Sequence, residues 1–321
     1  MKSTISALAG LLLFCASVWA RQPNEDQAAI AYSSGGVLYL ATASGKTLTT
    51  AKLDHSIGAF ALTADAKQVL FAPLGKAPHY YGGQLYLLTL STNKVERLTH
   101  GPYYDKSGKS DEVYSDPDLS PDGRQAIFAV HAQSSGDIVE ASGPFATVTL
   151  ATGSVSVMQS SLHVDANGVA FANDPHWSPD GEHVLLNYED GADIEDLSKK
   201  TSRDLSPLIG NGGWSHALGW LGSECIVYIA GKDYVDAQNQ PARFLNLKTQ
   251  KSGLLSTLLD LTSEQVTGLL AISGSTRVRK QSGHLWVETS SGRWAIPGAN
   301  ESIYVRILPS VQRSHIPEPC Q

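Results

Sequence analysis

The segments Asp116–Val130 (DPDLSPDGRQAIFAV) and Asp174–Tyr188 (DPHWSPDGEHVLLNY) repeat one pattern at an interval of 58 residues. Both begin with Asp-Pro, continue with Ser-Pro-Asp-Gly and end in an apolar run. In Ser-Pro-Asp-Gly the proline presets φ near −65°, the aspartate bonds nearby backbone amides, and the glycine takes the positive φ that closes a hairpin. The pattern therefore predicts a β-hairpin that the fold uses as a repeated structural unit, and favours this over a catalytic sequence present twice.

Weaker copies of this unit extend along the chain. One copy is the segment TADAKQVLFA, in which Thr63 takes the place of Ser120 at an interval of 57 residues. Another is the segment GWLGSECIVYIA, in which Trp220 takes the place of Trp177 at an interval of 43. Repeats of about 40–50 residues with several short strands are typical of propeller blades. The sequence repeats therefore predict an all-β fold, a six-bladed β-propeller with four-stranded antiparallel blades. A propeller with seven blades is the alternative. The six units lie at about 29–53, 57–100, 113–158, 169–210, 215–256 and 265–308.

Three finer expectations follow from this repeat. The segments 302–308 (SIYVRIL) and 28–33 (AAIAYS) are expected to pair and close the ring, which removes exposed sheet edges. The apolar residues before the turns, Leu119, Trp177 and Trp220, are expected to pack between neighbouring blades. Segments 194–200 and 258–266 have helical patterns and are interpreted as insertions.

The N-terminus has the layout of a secretory signal peptide over residues 1–20, with Lys2, an apolar run and a small-residue ending at Ala20. A membrane anchor is the less favoured alternative, because the run is short for a span of about 20 residues. Residues 21–321 are predicted to form a single propeller domain without a membrane span after cleavage. We therefore expect a monomer that is periplasmic or secreted.

The net charge and the cysteine content argue against a nucleic-acid-binding protein and against a disulfide-rich scaffold. The formal net charge is −7 and no basic stripe is present, so nucleic acid is not an expected partner. After removal of residues 1–20 only Cys225 and Cys320 remain, too few for a disulfide scaffold. One bridge that pins the C-terminal tail is an alternative, but the pattern favours a buried Cys225 and an unpaired Cys320.

The two Ser-Pro-Asp-Gly units and the segment 82–100 (GGQLYLLTLSTNKVERLTH) resemble the repeats of the TolB-type β-propellers, periplasmic relatives of the WD-repeat family. The resemblance implies a ring of six or seven blades around a central channel. The chain departs from TolB in one respect: the 36 residues between Ala20 and Ile57 are too few for the additional N-terminal domain of TolB. A hydrolase domain, which propeller-bearing peptidases carry after the propeller, is not expected either.

The candidate site lies at the channel mouth. Asp116 and Asp174 are expected to precede the innermost strands of neighbouring blades, and His176 and His216 lie near equivalent blade entrances. Close carboxylates could bind a hard cation or accept a basic segment of a partner. The alternative is that Asp-Pro simply starts each strand. No HxH or HExxH spacing is present, so we predict no cofactor and leave a bound divalent cation open.

Aromatic loops are the second candidate. Tyr103, Tyr104 and Tyr114 fall in one polar segment, and His79 and Tyr80 fall in another. Long polar loops on a rigid ring are natural binding surfaces, and tyrosine suits interface contacts. A solvated insertion is the alternative interpretation.

These features predict an exported, non-enzymatic propeller that binds a protein or peptide partner in the cell envelope through channel-mouth loops, with no residue assigned a catalytic role. The alternative is a propeller enzyme, a lyase or hydrolase that acts on a saccharide or another small substrate. Convergence of Asp116, Asp174, His176 and His216 within about 4–6 Å would favour the enzyme.

Overall fold

Six antiparallel sheets of four strands each form a six-bladed β-propeller, which confirms the predicted fold class. The predicted signal peptide, residues 1–20, lies outside the described residues. In the computed structural model the described residues are 28–34, 37–52, 57–63, 65–73, 84–100, 112–132, 145–158, 172–188, 191–210, 213–267, 269–273, 276–289, 292–297, 305–307 and 320.

The first three blades use the two ends of the chain and its first half. Blade 1 contains, from the innermost strand outward, β24 (Val305–Ile307), β1 (Ala28–Ser34), β2 (Val37–Thr42) and β3 (Thr47–Lys52). Blade 2 contains β4 (Ile57–Leu62), β5 (Gln68–Pro73), β6 (Tyr86–Thr89) and β7 (Lys94–Arg97). Blade 3 contains β8 (Glu112–Leu119), β9 (Gln125–Ala132), β10 (Phe145–Thr149) and β11 (Ser154–Val157).

The last three blades carry the short helices. Blade 4 contains β12 (Ala172–Trp177), β13 (His183–Tyr188), β14 (Ala192–Asp196) and β15 (Thr201–Asp204), followed by α1 (Ser206–Ile209). Blade 5 contains β16 (Trp214–Leu221), β17 (Cys225–Gly231), β18 (Arg243–Asn246) and β19 (Ser252–Leu254), with α2 (Tyr234–Gln238) after β17 and with α3 (Leu255–Leu259) and α4 (Ser263–Val266) at its end. Blade 6 contains β20 (Leu269–Ser273), β21 (Thr276–Gln281), β22 (His284–Thr289) and β23 (Gly292–Ala295).

The ring closes between the two ends of the chain. Strand β24 pairs antiparallel with β1, with Ile307 opposite Ile30 and Arg306 opposite Ala31, as the sequence predicts. The C-terminal strand is thus the innermost strand of a blade whose other strands are N-terminal. Innermost strands of successive blades contact one another and line the central channel.

Apolar side chains fill the space between neighbouring blades. Among the described residues they form six clusters, each of which joins two adjacent blades around the ring. Leu119 packs between blades 2 and 3, Trp177 between blades 3 and 4, and Trp220 between blades 4 and 5, as expected from the repeat. Full burial of one leucine or phenylalanine side chain contributes about 1.5–3 kcal/mol, so these interfaces hold the ring together.

The Ser-Pro-Asp-Gly turns have the predicted structural role. In blade 4 the hydroxyl of Ser178 donates to Asp180 Oδ1 at 2.6 Å and accepts from the backbone amide of His183 at 2.9 Å, and Gly181 has a φ of 76°. The turn at Ser120 makes the same bonds, and so does the weaker copy at Thr63. Since the serine and aspartate side chains bond within the turn, they build the hairpin.

The prediction of two helical insertions is half correct. Residues 255–266 contain α3 and α4, and α4 begins with a capping box between Thr262 and Gln265. The prediction of a helix at 194–200 is wrong, because β14 continues to Asp196 and a turn follows. Ile194 pairs with Leu185 in the sheet, so burial against the neighbouring strand overrides a short helical pattern.

The interpretation of Cys320 as an unpaired tail cysteine is wrong. Cys225 and Cys320 form a disulfide with a Cα–Cα distance of 5.0 Å across 95 positions of sequence. Both cysteines are buried in the apolar cluster between blades 5 and 6. The sequence left this pairing open because nothing local places the tail beside blade 5.

No helix within the described part of the chain is long and apolar enough to cross a membrane.

Candidate functional site

Two β-bulges set the positions of Asp116 and Asp174. The pairing of β8 with β9 shifts between Ser115 and Asp118, and the pairing of β12 with β13 shifts between Asn173 and His176. At these bulges Asp116 has a φ of 49° and Asp174 a φ of 47°. Aspartate tolerates this left-handed conformation better than most residues, and the proline that follows it has no N–H to offer the ladder.

The expectation that these aspartates precede the innermost strands is therefore corrected, and so is the alternative that Asp-Pro starts the strand. Asp116 lies inside β8 and Asp174 inside β12. A bulge bends its strand and re-aims the side chain at that position. This is how the repeat places a carboxylate in the channel wall of two neighbouring blades.

Asp174 is the centre of a cluster of charged groups. Its Oδ2 lies 3.4 Å from Nε2 of His176 and 3.7 Å from Nε2 of His216, which is on β16. Its Oδ1 lies 3.4 Å from Nη2 of Arg306, which is on β24. Blades 1 and 4 are opposite each other in a six-bladed ring, so the pair of Arg306 and Asp174 spans the channel.

Arg306 was missed by the sequence analysis. Its Nε also donates to the backbone carbonyl of Phe60 on β4, at 3.1 Å. The available signal was a single cation within the otherwise apolar closing segment 302–308. A charged residue in an innermost strand must face the channel or find a partner.

Asp118 was also missed, although it lies at the position in its repeat that His176 has in the next one. Its Oδ2 accepts a hydrogen bond of 2.7 Å from the backbone N–H of Trp177, so it ties blade 3 to blade 4. Asp116 accepts from the hydroxyl of Ser115 at 2.8 Å, and no described cation lies within ion-pair distance of it. We call Asp116, Asp118, Asp174, His176, His216 and Arg306 the channel cluster.

The two bulge aspartates have opposite pKa shifts. Burial alone would raise the pKa of Asp174, but His176, His216 and Arg306 hold it well below its ordinary value. Burial, and then the charge of Asp174, raise the pKa of Asp116. Burial also raises the pKa of Asp118, against the opposing charges of Arg306 and His176. One permanently charged guanidinium and two histidines face the three carboxyl groups, so the cluster carries excess negative charge when the histidines are neutral.

The carboxyl groups have the reciprocal effect on Arg306. Burial would lower the pKa of its guanidinium, but Asp174, Asp118 and Asp116 together raise it, so Arg306 stays charged. The cluster remains open to the channel, since about a third of the Asp174 side chain and a quarter of the Arg306 side chain are exposed. A ligand in the channel can therefore contact these groups.

An aromatic surface continues from the channel cluster. The ring of Trp214 stacks on His216 at 5.8 Å, and Tyr234 meets Trp214 edge-on at 5.1 Å. Tyr234 and Val235, in α2, are 54% and 67% exposed. Asp233 caps this short helix by accepting from the N–H of Asp236 at 2.8 Å. We call Trp214, Tyr234 and Val235 the aromatic rim.

The prediction that Tyr114 lies in a binding loop is wrong. Tyr114 lies in β8, is fully buried, and packs against Phe128 with ring centroids 4.8 Å apart. The strand begins two residues before Tyr114, so its ring enters the interface between blades. Tyr103, Tyr104, His79 and Tyr80 lie outside the described residues and stay predictions.

The arrangement of potential metal-ligating side chains among the described residues does not support a metal site in the channel. Within the described ranges, one group of side chains, Asp180, Glu182 and His183, brings metal-ligating atoms within 4.8 Å of one another. It lies at the blade 4 turn, where Asp180 already accepts from Ser178 and from the N–H of Glu182. In the channel cluster, the guanidinium of Arg306 stands beside the carboxylates that a cation would need.

Comparison with solved structures identifies propellers of the same fold. TolB from Acinetobacter baumannii has a TM-score of 0.54 and 16% identity over 92% of this chain and 67% of that chain. The nidogen/laminin complex contains a chain with a TM-score of 0.59 and 9% identity over 88% of this chain and 99% of that chain. Oligogalacturonate lyase from Vibrio parahaemolyticus has a TM-score of 0.53 and 10% identity over 82% of this chain and 74% of that chain.

At these identities the likeness shows the fold and leaves the function open. The resemblance to TolB-type propellers is thus confirmed for the fold. No protein-family model matches the chain, and the search of curated protein sequences found no match.

Proposed function

We propose that this protein is an exported propeller that binds a protein or peptide partner in the cell envelope. A basic group of the partner, a lysine or arginine side chain or a free amino terminus, enters the channel cluster, and apolar side chains of the partner contact the aromatic rim. The observation that carries the proposal is Asp116, a carboxyl group in the channel wall that has no described cation within ion-pair distance and whose pKa is raised by burial and by the charge of Asp174.

The electrostatics of the channel support a cationic ligand. Carboxyl groups in a concave site with low-dielectric walls attract opposite charge more strongly than the same groups on a flat surface. Arg306 already pairs with Asp174, so less positive charge is available to balance the carboxyl groups of Asp116 and Asp118. A partner cation would lower the repulsion between Asp116 and Asp174.

The aromatic rim supports a partner larger than an ion. Tyrosine and tryptophan are enriched at protein interfaces. In the aromatic rim Tyr234 is exposed and Trp214 is half-buried beside His216 of the channel cluster. Among the structural neighbours, the nidogen/laminin structure is a complex of two proteins. The Cys225–Cys320 disulfide fits an oxidising compartment such as the periplasm or the cell exterior.

Site-specific crosslinking in the native envelope tests the proposal. A photo-crosslinking residue replaces Val235 in the aromatic rim or, as a matched control, Val95, which is 43% exposed on the outer strand β7. We expect position 235 to capture a defined partner and position 95 to capture none. Asp116→Asn should reduce the capture at position 235 about tenfold or more, since it removes the uncompensated charge.

Glu96→Gln serves as the charge control, because Glu96 lies on β7 and pairs only with the exposed Lys94 among the described residues. It should leave capture unchanged. Capture of the same proteins from positions 235 and 95, or equal capture by the wild type and Asp116→Asn, would contradict binding at the channel cluster.

A second candidate is a propeller lyase or hydrolase that acts on a saccharide. The observation that favours it is the contact of Asp174 with two histidines and an arginine, a set able to bind a carboxylate and move a proton. Purified protein would be incubated with oligogalacturonate and neutral oligosaccharides, and new chain ends measured. Turnover that His216→Ala abolishes would establish the enzyme and refute the non-enzymatic role.

A further inference from the structure

A second charged site lies in blade 6, away from the channel wall. Strand alternation places Arg277 and Arg279 on one face of β21. On the same face Arg277 is opposite Glu288 of β22, and Glu288 is opposite Arg293 of β23. Three strands thus contribute three arginines and one glutamate to a single patch.

The three guanidinium groups share Glu288. Arg279 Nε lies 3.3 Å from Oε1 of Glu288, Arg277 Nη2 lies 3.5 Å from Oε2, and Arg293 Nε lies 3.7 Å from Oε1. The side chain of Arg279 is only 3% exposed, and those of Arg277 and Glu288 are 12% and 11% exposed. These distances leave Nε of Arg277, Nε of Arg279 and Oε2 of Glu288 without a hydrogen bond, although they are buried.

Other nearby acceptors are too few to bond all the N–H donors of the three arginines. Arg279 donates to the backbone carbonyl of Glu264 in α4, and the side-chain oxygen of Gln281 accepts from both Arg279 and Arg293. The carboxylate of Glu264 accepts from the Gln281 amide at 3.1 Å. Each guanidinium has five N–H donors, so the donors in this patch far outnumber the acceptors. Burial lowers the pKa of Arg277, against the opposing charge of Glu288, and the charge of Arg279 adds a smaller lowering.

A cavity of about 550 Å³ opens in front of these groups, between blade 6 and the helix α4 that follows blade 5. This volume falls within the range of small-ligand pockets, about 300–1,000 Å³. Trp286 supports its rim, where the guanidinium of Arg293 lies 3.8 Å from the ring centroid. The aromatic ring stabilises the position of Arg293, which lines the cavity.

We propose that this pocket binds a ligand that carries a single carboxylate, which Arg277, Arg279 and Arg293 hold through charge-assisted hydrogen bonds. Three guanidinium and two carboxylate groups, those of Glu264 and Glu288, leave one net positive charge, which one carboxylate balances. A phosphate dianion would overcompensate this charge next to Glu288. The carboxylate comes from a small organic acid or from the acidic side chain of a peptide, since both offer the same planar pair of acceptors.

Calorimetric titration of the oxidised protein at constant ionic strength tests the proposal. The probes are propionate, a peptide capped at both ends with one glutamate, the same peptide with glutamine, and inorganic phosphate. We expect saturable binding of propionate, of the glutamate peptide, or of both, and none of the glutamine peptide. Which of the two carboxylates binds more tightly identifies the source of the ligand.

Variants assign the binding to this pocket. Arg293→Gln removes a rim arginine that is 40% exposed, so the blade should still fold, and it should weaken carboxylate binding about tenfold. The matched control is Arg124→Gln, since Arg124 is an 84% exposed arginine at the turn of blade 3 and should have no effect. The proposal is overturned if neither carboxylate saturates, if phosphate binds more tightly than both, or if Arg124→Gln weakens binding as much as Arg293→Gln.

Discussion

Asp116 and Asp174 hold the same position in two neighbouring repeats, yet their surroundings give them opposite properties. Asp174 contacts two histidines and Arg306, and its pKa is held well below the ordinary value. Asp116 bonds to a neutral hydroxyl, and burial with the charge of Asp174 raises its pKa. Asp174 therefore stabilises the ring at neutral pH, whereas Asp116 destabilises it.

Asp116→Asn is expected to raise the free energy of unfolding by about 0.5–1 kcal/mol at pH 7. A raised pKa in the folded state means that folding disfavours the ionised form. This penalty grows as the pH rises above about 3.9, the ordinary value, and is complete above the folded-state pKa. The side-chain oxygen of asparagine can still accept the hydrogen bond that the hydroxyl of Ser115 donates to Asp116. Urea unfolding at pH 7 measures the change, and a loss of stability would show that the ionised carboxylate is structural.

Asp174→Asn is expected to lower the free energy of unfolding by roughly 1–3 kcal/mol at pH 7, because it leaves Arg306 without its paired carboxylate. The expected loss of stability is smaller than for a fully buried ion pair, because about a third of the Asp174 side chain is exposed to solvent. A depressed pKa gives stability that is present above about 3.9 and is lost as the pH falls through the folded-state value. Urea unfolding of both proteins should therefore give curves that converge at low pH. A difference independent of pH would contradict this role.

The β-hairpin turns are local units whose side chains bond within the turn. The hydroxyl of Ser178 accepts from the N–H of His183 and donates to Asp180, and Ser178 is fully buried. Ser178→Ala would leave the N–H of His183 unsatisfied and should destabilise the protein by about 1–3 kcal/mol.

Thermal or urea unfolding measures this effect, with Ser154→Ala as the control. Ser154 lies in the outer strand β11 and is exposed, so its replacement should change stability by less than about 0.5 kcal/mol. If capture of the partner at position 235 falls for Ser178→Ala while the protein stays folded, the turn has a role beyond hairpin formation.

The disulfide acts on the ring as a whole. Cys225 is in blade 5, and Cys320 follows the closing strand β24, so the bond links the tail to the ring across 95 positions. Cys320→Ser should lower the free energy of unfolding by about 2–4 kcal/mol, chiefly because the unfolded chain is no longer cross-linked. Unfolding curves with and without reductant measure this. The variant should be insensitive to reductant, and a wild type that is equally insensitive would refute the effect.

A bound cation would also stabilise the ring as a whole. Arg306 supplies positive charge among the channel carboxylates, so we expect a chelator to leave the midpoint of thermal unfolding unchanged. A lowered midpoint that returns with calcium or zinc would show that a cation site exists and would overturn this prediction.

Several features of the ring follow from local patterns in the sequence. The Ser-Pro-Asp-Gly turns, the six units and the closing strand were predictable, because turn chemistry and strand alternation act within a few residues and repeat along the chain. Among the four channel candidates, Asp116 and Asp174 hold equivalent positions of neighbouring repeats, and the structure brings Asp174, His176 and His216 together, while a binding role for the four stays a prediction. The helix expected at 194–200 failed because packing against β13 outweighs a short helical pattern.

Tertiary contacts decided the rest. Arg306 meets Asp174 across 132 positions of sequence, and Cys225 meets Cys320 across 95, only because the ring closes on itself. Tertiary packing also gives the two aspartates opposite pKa shifts. His216 and Arg306, from other blades, join the local His176 in lowering the pKa of Asp174, whereas burial and the charge of Asp174 raise the pKa of Asp116. The repeated Asp-Pro-x-x-Ser-Pro-Asp-Gly pattern thus determines where each hairpin forms and bulges, while the chemistry of its first aspartate also depends on its burial and on the charged groups that other blades place beside it.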